Sequence, residues 1–344
     1  MNKKTVLVTG GFGYVGSRLT PLLLDQGYKV KVIDLCLYGT YGLDALTSDQ
    51  KARLEFLKMD IRNPEAAAQA MKGVDTVIHL AAISNDPTGE VDEKLTRQVN
   101  FDGVGLLLSV AKQAGVKRFI NASSSSVFGI KNESNVTEEL EPEPLTAYSR
   151  YKMLSEWLVV SASSPEFCTV NIRPATICGY SPRQRFDLTV NKLTADAVRK
   201  KLITVHGGQQ RRPNVGMEDV INLYSHLIDV DAKLINGRTF NFGFENLKVI
   251  EIAELIKKEL TVKAKNNGMQ DTLFTHKLTF HARHSLQESR SLALFAKSPE
   301  VGPEHLLLAT FLENGSLGNN LLENMGFEKV RLSKLCLKRG ITRR

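Results

Sequence analysis

The chain is 344 residues long, with 42% hydrophobic residues and a formal net charge of +8, which is enough apolar sequence for one large domain and a smaller one. Its four cysteines have neither metal-ligand spacing nor the density of a disulfide framework, so cysteine-based metal sites and small secreted scaffolds are excluded. No apolar run has the length of a membrane span, and the N-terminal segment is typical of a first strand rather than a signal sequence, so we predict a cytoplasmic location without a membrane partner.

The first predicted feature is a glycine-rich turn between a strand and a helix. The apolar run 6–8 is typical of a buried parallel strand, and apolar residues at helical spacing over 14–25 indicate a helix. Three glycines between them allow a tight turn, close approach to a pyrophosphate and close helix packing, and the helix N-terminus offers N–H donors to the phosphates. We therefore predict a dinucleotide site that contains Gly10, Gly13, Tyr14, Val15 and Gly16.

A second strand is predicted over residues 29–33, and Asp34 directly follows it. A carboxylate about 20 residues after such a turn is placed to accept the adenosine ribose hydroxyls of a dinucleotide. Residues 35–39 contain no Lys or Arg that could hold a 2′-phosphate. The sequence therefore favours NAD over NADP.

Further motifs follow in order along the chain. They are Asp60-Ile61-Arg62 after a predicted strand, Val77-Ile78-His79-Leu80-Ala81-Ala82, Val99-Asn100, the serines Ser123-Ser124-Ser125-Ser126 after an apolar strand, and Tyr148-x-x-x-Lys152. With the glycine turn, this ordered set resembles the extended short-chain dehydrogenase/reductase family, specifically its nucleotide-sugar epimerases and dehydratases. The resemblance covers about residues 3–260.

The resemblance implies an α/β fold, a doubly wound parallel Rossmann sheet, with NAD lying across the strand ends. It implies a contact of the adenine with the Asp60-Ile61 pair, and it places Lys152 on the nicotinamide ribose. The other cofactor contacts that it implies are Leu80, Ala81, Ala82 and Asn100.

Tyr148 and Lys152 are four residues apart on a predicted helix over 147–161, so both project from one face. A free tyrosine keeps its proton up to a pH of about 10. A neighbouring ammonium and the positive nicotinamide ring favour the phenolate and lower its pKa toward the operating range. Tyr148 can then take a proton from a sugar hydroxyl as hydride leaves the same carbon for NAD. The resemblance gives Ser124 a hydrogen bond to the same oxygen.

The two residues after Ser124 reduce the number of reaction types that the site could catalyse. The 4,6-dehydratases of the family carry Asp-Glu there, as the acid and base that eliminate water. Ser125 and Ser126 cannot play that role at neutral pH. Epimerisation needs only removal of hydride, rotation of the keto sugar and return of hydride, so we expect a 4-epimerase; a net dehydrogenase stays open.

Substrate contacts are expected from arginines and from the loop after residue 172. Thr176 stands where many relatives place an Asn on the sugar diphosphate, and Arg212 lies in an element similar to the Arg-x-x-x-x-x-x-Asp motif of the family. Guanidinium groups suit a diphosphate because they bind it with two parallel hydrogen bonds. The expected substrate-binding residues are Ser124, Ser125, Thr176, Arg183, Arg185 and Arg212.

The sequence changes character after a predicted helix over 249–260. Residues 274–337 resemble a single N-terminal repeat of the Clp-type AAA+ unfoldases, a helical module that docks adaptors or substrates. The segment that normally completes the sugar-binding lobe of the epimerase family is replaced, so this lobe is expected to be truncated. The predicted regions are an NAD-binding domain with part of that lobe over 1–262, a linker over 263–271, a helical module over 272–338 and a basic tail over 339–344.

The last region of the chain carries most of the basic excess, with 13 Lys and Arg against 7 Asp and Glu after residue 262. The terminal basic residues have no interleaved aromatics, so nucleic acid is not an expected partner. Histidines 276, 281, 284 and 305 lack a cysteine or paired carboxylate that would complete a site, so no metal is expected.

Two classes of function stay open. In the first, the protein is an NAD-dependent epimerase or related oxidoreductase of nucleotide sugars with a helical appendage; the intact Ser124, Tyr148 and Lys152 favour it. In the second, it is an NAD-binding scaffold with impaired sugar binding whose helical module recruits a protein partner; the truncated lobe favours it. The oligomeric state is open, with a homodimer as one alternative.

Overall fold

The computed structural model describes residues 4–265, except residues 41, 44, 85 and 134. The predicted helical module over 272–338 and the predicted basic tail lie outside the described residues. The same is true of the predicted linker from residue 266 onward and of the four histidines for which no metal was expected.

The described chain divides into two compact units. The first comprises the described residues up to Ile177 together with Asn214–Glu245, and the second comprises Cys178–Pro213 and the described residues from Asn246 onward. The predicted region 1–262 therefore contains residues of both units.

The strands, in chain order, are β1 (Thr5–Thr9), β2 (Lys29–Asp34), β3 (Leu54–Lys58), β4 (Thr76–His79), β5 (Arg118–Ala122), β6 (Cys168–Pro174), β7 (Thr176–Cys178), β8 (Arg211–Gly216), β9 (Arg238–Phe242) and β10 (Glu245–Lys248). Seven of them form a parallel sheet in the order β3-β2-β1-β4-β5-β6-β9, and a three-stranded sheet has the order β10-β8-β7. The chain reverses its winding between β1 and β4. This confirms the doubly wound sheet, whose ligands bind beyond the carboxyl ends of the strands at such a reversal.

The helices are α1 (Gly16–Asp25), α2 (Ser48–Ala52), α3 (Pro64–Met71), α4 (Asp86–Val91), α5 (Glu93–Arg97), α6 (Gly103–Gln113), α7 (Ala147–Ser161), α8 (Thr189–Lys200), α9 (Met217–His226), α10 (Ala232–Ile235) and α11 (Val249–Lys265). A π-helical turn, Gln98–Asp102, joins α5 to α6, and a 3₁₀ turn, Ser125–Phe128, follows β5. Among the described residues, no helix is both long enough and apolar enough to span a bilayer.

The central strands β1, β4 and β5 are buried along almost their whole length, which is typical of a parallel sheet covered on both faces. Leu7, Val77 and Phe119 are fully buried in one cluster with Met71 of α3 and Leu107 of α6. Burial of a side chain of this size stabilises the fold by about 1.5–3 kcal/mol. This packing holds the strands, and therefore the loops that leave their carboxyl ends, in fixed positions.

Helix α7 begins at a capping box. Thr146 Oγ1 accepts a hydrogen bond from the Ser149 N–H at 3.1 Å, and Ser149 Oγ accepts one from the Thr146 N–H at 3.0 Å. The box satisfies N–H groups that the first helical turn would otherwise leave unpaired. Helix α7 therefore starts at Ala147, as predicted, and Tyr148 lies in its first turn.

The second unit has a small apolar cluster of its own, formed by Leu193 of α8 with Val249, Ile252 and Ala253 of α11. Helix α11 continues to Lys265, five residues past its predicted end and into the segment predicted as a linker. The physical reason is that residues 261–265 contain neither proline nor glycine, which would end a helix.

Candidate active site

The predicted dinucleotide turn lies between the carboxyl end of β1 and the start of α1, and Tyr14 and Val15 are part of it. Gly10 has a φ of 71°, which side chains rarely adopt, and its N–H donates to a backbone oxygen of β2 at 2.7 Å. The Gly13 N–H donates to the Gly10 oxygen at 3.0 Å, and a Cβ on Gly16 would overlap the same oxygen. The turn is closed so tightly that Gly10 and Gly16 have to be glycine. This backbone arrangement fits a pyrophosphate cradle.

Asp34 lies at the carboxyl end of β2, beside the turn. Its Oδ2 accepts a hydrogen bond from the Phe12 N–H at 3.0 Å, and its Oδ1 accepts one from the Cys36 N–H at 2.7 Å. Asp34 therefore connects the glycine turn to the loop after β2, a task that the sequence did not reveal. Each carboxylate oxygen has a further lone pair. The contact with ribose hydroxyls is compatible with these bonds and stays a prediction.

Asp60, the predicted adenine contact, is paired with Arg62. Arg62 Nε donates to the two carboxylate oxygens at 3.1 and 3.0 Å, and Nη2 donates to Oδ2 at 2.6 Å. These hydrogen bonds hold the pKa of Asp60 below its ordinary value. Asp60 and Arg62 line an open groove of about 730 Å³ with Gln98. Ile61, the neighbouring predicted contact, is buried.

The loop after β4 is held by two side chains. The Ala81 N–H donates to Thr9 Oγ1 at 3.2 Å. Buried Asn100, in the π-helical turn, accepts from the Ile83 N–H and donates to the Ile83 oxygen, each at 2.9 Å. Asn100 therefore fixes the conformation of the loop after β4. This loop contains three of the predicted cofactor contacts, Leu80, Ala81 and Ala82.

Ser124 lies directly before the 3₁₀ turn that starts at Ser125. Ser124 Oγ accepts hydrogen bonds from the Ser126 N–H at 3.2 Å and from the Ser126 hydroxyl at 2.8 Å. A serine oxygen has two acceptor positions. Because both are occupied, the remaining capacity of the Ser124 hydroxyl is as a donor.

Tyr148 and Lys152 are both buried on α7, at 8% and 4% exposure. Lys152 Nζ donates to the Ala122 oxygen at 2.7 Å. Ala122 ends β5, two residues before Ser124, so this bond ties Lys152 to the strand from which the serines follow. Burial lowers the pKa of the Lys152 ammonium to about 8, while the charge of Glu156 acts in the opposite direction.

Two groups near Lys152 were missed in the sequence. Glu156 forms a buried ion pair with Arg173 at 2.7 Å, and buried His79 shares a hydrogen bond between its Nδ1 and Thr9 Oγ1 at 2.7 Å. The available signal for His79 was its position directly after the apolar pair 77–78, since polar residues are rarely buried without a partner.

Buried His79 is expected to make the protein less stable in acid. Burial, followed by the charge of Lys152, lowers the pKa of His79 from 6.5 to about 3. Between these values the unfolded chain binds one more proton than the folded chain, so the free energy of unfolding falls by up to about 1.4 kcal/mol per pH unit as the pH decreases. Urea unfolding over this pH range should show a flatter dependence in His79→Gln.

The matched control for this prediction is His206→Gln, at an exposed position in the second unit. It should leave the pH dependence of unfolding unchanged. Equal slopes for the wild type and His79→Gln would show that other groups cause the loss of stability in acid.

The residues predicted for the sugar diphosphate are distributed over both units. Thr176 begins β7 in the first unit, whereas Arg183, Arg185 and Arg212 belong to the second. Arg185 Nη2 and Nε donate to the carboxylate of Asp187 at 2.5 and 3.1 Å. Binding of a diphosphate by Arg185 stays a prediction and would require Arg185 to exchange this partner.

Two family models match separate parts of the chain. Residues 6–243 match the NAD dependent epimerase/dehydratase family, and residues 277–337 match the Clp repeat (R) N-terminal domain. The second match agrees with the resemblance noted for residues 274–337, which lie outside the described structure.

Among curated proteins, the chain is similar to sterol-4-alpha-carboxylate 3-dehydrogenase, decarboxylating, of Mus musculus, with 34% identity over 202 residues, or 57% of this chain and 51% of that protein. The chain spans about half the length of the curated relatives it first matches.

Two solved structures share the fold. A UDP-glucuronic acid 4-epimerase from Bacillus cereus, in complex with UDP-glucuronic acid and NAD, is 29% identical with a TM-score of 0.65, covering 75% of this chain and 83% of that one. DesIV, a dTDP-glucose 4,6-dehydratase from Streptomyces venezuelae with NAD and TYD bound, is 24% identical with a TM-score of 0.67, covering 75% and 81%. At that identity, DesIV supports the fold alone.

Proposed function

Since this chain belongs to the NAD dependent epimerase/dehydratase family, with NAD as its cofactor, we propose that it epimerises a nucleotide-diphosphate sugar at a hydroxyl-bearing carbon. The bound NAD would supply a reversible acceptor of hydride. The observation that carries the proposal is the buried pair of Tyr148 and Lys152 on α7, with Lys152 bonded to Ala122 directly before the serines.

Each residue of this group has a separate task. The Tyr148 oxygen takes the proton of the reacting hydroxyl and later returns it. The Lys152 ammonium stabilises the negative charge on the Tyr148 oxygen. Ser124, whose acceptor positions are filled by Ser126, donates its hydroxyl proton to the substrate oxygen and stabilises the charge that develops there.

The residues after Ser124 support epimerisation over loss of water. Elimination needs an acid and a base beside the sugar, and Ser125 and Ser126 are neither at neutral pH. The Ser126 hydroxyl is directed to Ser124. A 4-epimerase is therefore the reaction that we propose, with a 4,6-dehydratase as the less supported alternative.

Similarity to a sterol dehydrogenase favours a second candidate, the net oxidation of a secondary alcohol on a larger apolar substrate. Tyr148 and Lys152 would remove a proton in the same way, but the cofactor would leave in its reduced form. The two reactions differ in a simple observable, because an epimerase regenerates its NAD in every turnover.

The match of residues 277–337 to a Clp repeat favours a third candidate, an NAD-binding scaffold that recruits a protein partner. In that case NAD binds, and neither sugar nor steroid is turned over. The nucleotide-sugar enzyme remains our proposal because Ser124, Tyr148 and Lys152 are all present.

The deciding experiment incubates the full chain with NAD and a panel of UDP-, GDP- and dTDP-sugars, together with a 3β-hydroxysteroid. Products are separated by chromatography, and reduced cofactor is followed by absorbance. An inverted sugar without accumulation of reduced cofactor supports the epimerase. Stoichiometric reduced cofactor identifies a dehydrogenase, and NAD binding without any product supports the scaffold.

The contact proposed between Asp34 and the ribose predicts cofactor preference. Asp34→Asn should weaken NAD more than NADP by about 1–2 kcal/mol, because a hydrogen bond to a charged group is lost and the repulsion of a 2′-phosphate is removed. The change also turns one acceptor for the Phe12 or Cys36 N–H into a donor, which weakens both dinucleotides. The ratio of the two affinities, measured by calorimetry, is therefore the informative quantity.

Asp49→Asn is the matched control, because Asp49 is an exposed carboxylate of α2 whose partner, Arg53, directly follows that helix. It should leave both affinities unchanged. If Asp34→Asn also leaves the NAD to NADP ratio unchanged, the ribose contact is wrongly assigned.

A further inference from the structure

We propose that the buried ion pair of Glu156 and Arg173 is a positioning pair, which fixes the serine loop, residues 123–128, against α7 and keeps Lys152 in its charged form. The inference rests on the proposed function, because it assigns a task to groups beside the proposed catalytic residues.

The pair has a fixed geometry. Arg173 Nε donates to Glu156 Oε1 at 2.9 Å, and Arg173 Nη2 donates to Glu156 Oε2 at 2.7 Å. The two side chains are only 7% and 3% exposed. Two parallel hydrogen bonds orient both groups, but the cost of removing two charges from water offsets much of their attraction. Stability alone therefore gives little reason for a charged pair at this place.

The pair contacts both ends of the serine loop. The Ser123 hydroxyl donates to Glu156 Oε1, and the Arg173 guanidinium lies 4.7 Å from the centre of the Phe128 ring. The second distance is within the range of a cation–π contact. Ser124 lies between these two anchors, so the direction of its hydroxyl depends on them.

The pair also acts on Lys152. Glu156 follows Lys152 by four residues on α7, so the two side chains lie on the same face one helical turn apart. Burial lowers the pKa of Lys152 to about 8, and the carboxylate of Glu156 raises it. Without this carboxylate, the pKa of Lys152 would be lower still, so the ammonium would lose its proton at a lower pH than it does beside Glu156.

Among the described residues, Glu156 is the one whose charge raises the pKa of Lys152. His79 of β4 is neutral above a pH of about 3, which is its lowered pKa, and β5 contributes the Ala122 carbonyl. Tyr148 precedes Lys152 by one turn of α7. Arg173 of β6 is positive and is neutralised by Glu156.

The change Glu156→Gln should therefore lower the titration midpoint of Lys152. It removes an attractive charge and leaves the positive charge of Arg173 without compensation, and both effects favour the neutral amine. We expect a fall of about one pH unit or more.

Carbon-13 NMR of protein labelled at lysine Cε measures this midpoint directly. The Lys152 signal is assigned by its absence in Lys152→Met. Neither sugar nor NAD is needed for the titration. Glu166→Gln, at an exposed position of the same unit, is the matched control and should leave the midpoint unchanged.

A second variant covers the case in which Glu156→Gln does not fold. Replacement of a buried ion pair by apolar residues of similar volume is often neutral or stabilising, so Glu156→Met/Arg173→Met should fold. Its Lys152 midpoint should also fall, by less than in Glu156→Gln because the repulsion of Arg173 is removed too. Hydrogen exchange of residues 123–128 should become at least about tenfold faster, because both anchors of the serine loop are lost.

An unchanged Lys152 midpoint in whichever variant folds would overturn the electrostatic task of the pair. Unchanged exchange of the serine loop in the double variant would overturn its positioning task. The titration is independent of the proposed reaction. If the Lys152 midpoint shifts but no sugar is turned over, the positioning role of the pair stands and the proposed epimerase activity is rejected. If a sugar is turned over but the midpoint is unchanged, the epimerase activity stands and the electrostatic role of the pair is rejected.

Discussion

Tyr148→Phe is expected to lower the turnover of the nucleotide sugar by about 10²–10⁴-fold, which is the usual contribution of a general acid–base group. The phenol oxygen is the only atom lost, and the ring of Tyr148 is buried in the first turn of α7, so the packing should be retained. The affinity for NAD should therefore change little. Initial rates at saturating substrate and calorimetric titration with NAD measure the two quantities.

Tyr151→Phe provides a matched control on the same helix. The Tyr151 hydroxyl donates to Glu93 of α5 at 3.1 Å, in an exposed hydrogen bond. Tyr151→Phe removes the same phenol oxygen from the helix, and we expect it to leave turnover unchanged. Normal rates in Tyr148→Phe, or equal losses in both variants, would contradict the acid–base role of Tyr148.

Gly16→Ala is expected to abolish most NAD binding, with a loss of affinity of about 100-fold or more. The new Cβ would overlap the Gly10 oxygen and lie 2.6 Å from Gly11 Cα. These are backbone atoms that cannot rotate away, so the turn has to open. Its N–H groups then no longer converge on the position predicted for the pyrophosphate. Overpacking of this kind also costs about 1–3 kcal/mol of stability. Calorimetry with NAD and thermal unfolding measure the two effects.

Gly105→Ala is the matched control for this change. Gly105 lies inside α6, and its added Cβ would meet Leu158 Cδ1 at 3.6 Å, an ordinary contact. Alanine in a helix interior is more favourable than glycine by roughly 0.5–1 kcal/mol. Gly105→Ala should therefore keep its NAD affinity and unfold at the same or a higher temperature. NAD binding by Gly16→Ala at normal affinity would reject the glycine turn as the cradle.

Local features of the site could be predicted because they depend on neighbouring residues. The capping residues and the apolar spacing of α7 lie within the helix itself, so its limits, Ala147–Ser161, agree with the prediction. The turn at Gly10 and Gly16 follows from backbone sterics over seven residues. The limit of α11 was placed too early because a polar sequence was given more weight than the absence of residues that end a helix.

Pairings across the sheet could not be predicted. His79 and Thr9 are 70 residues apart and meet because β1 and β4 are neighbours in register. Glu156 and Arg173 meet only because α7 packs on β6. Sequence spacing carries no information on such contacts, since they depend on strand order.

The sequence by itself determined the glycine turn and the placement of Tyr148 and Lys152 on one helix, because each follows from apolar periodicity or from residue spacing along one element. The doubly wound sheet was expected from the resemblance of the ordered motifs to a known family. The tertiary structure alone decided how these groups are tuned. It buried Lys152, bonded it to Ala122 and tied the Glu156 carboxylate to Arg173. The physical reason is that desolvation and charge pairing depend on three-dimensional distance, which the packing of distant segments sets.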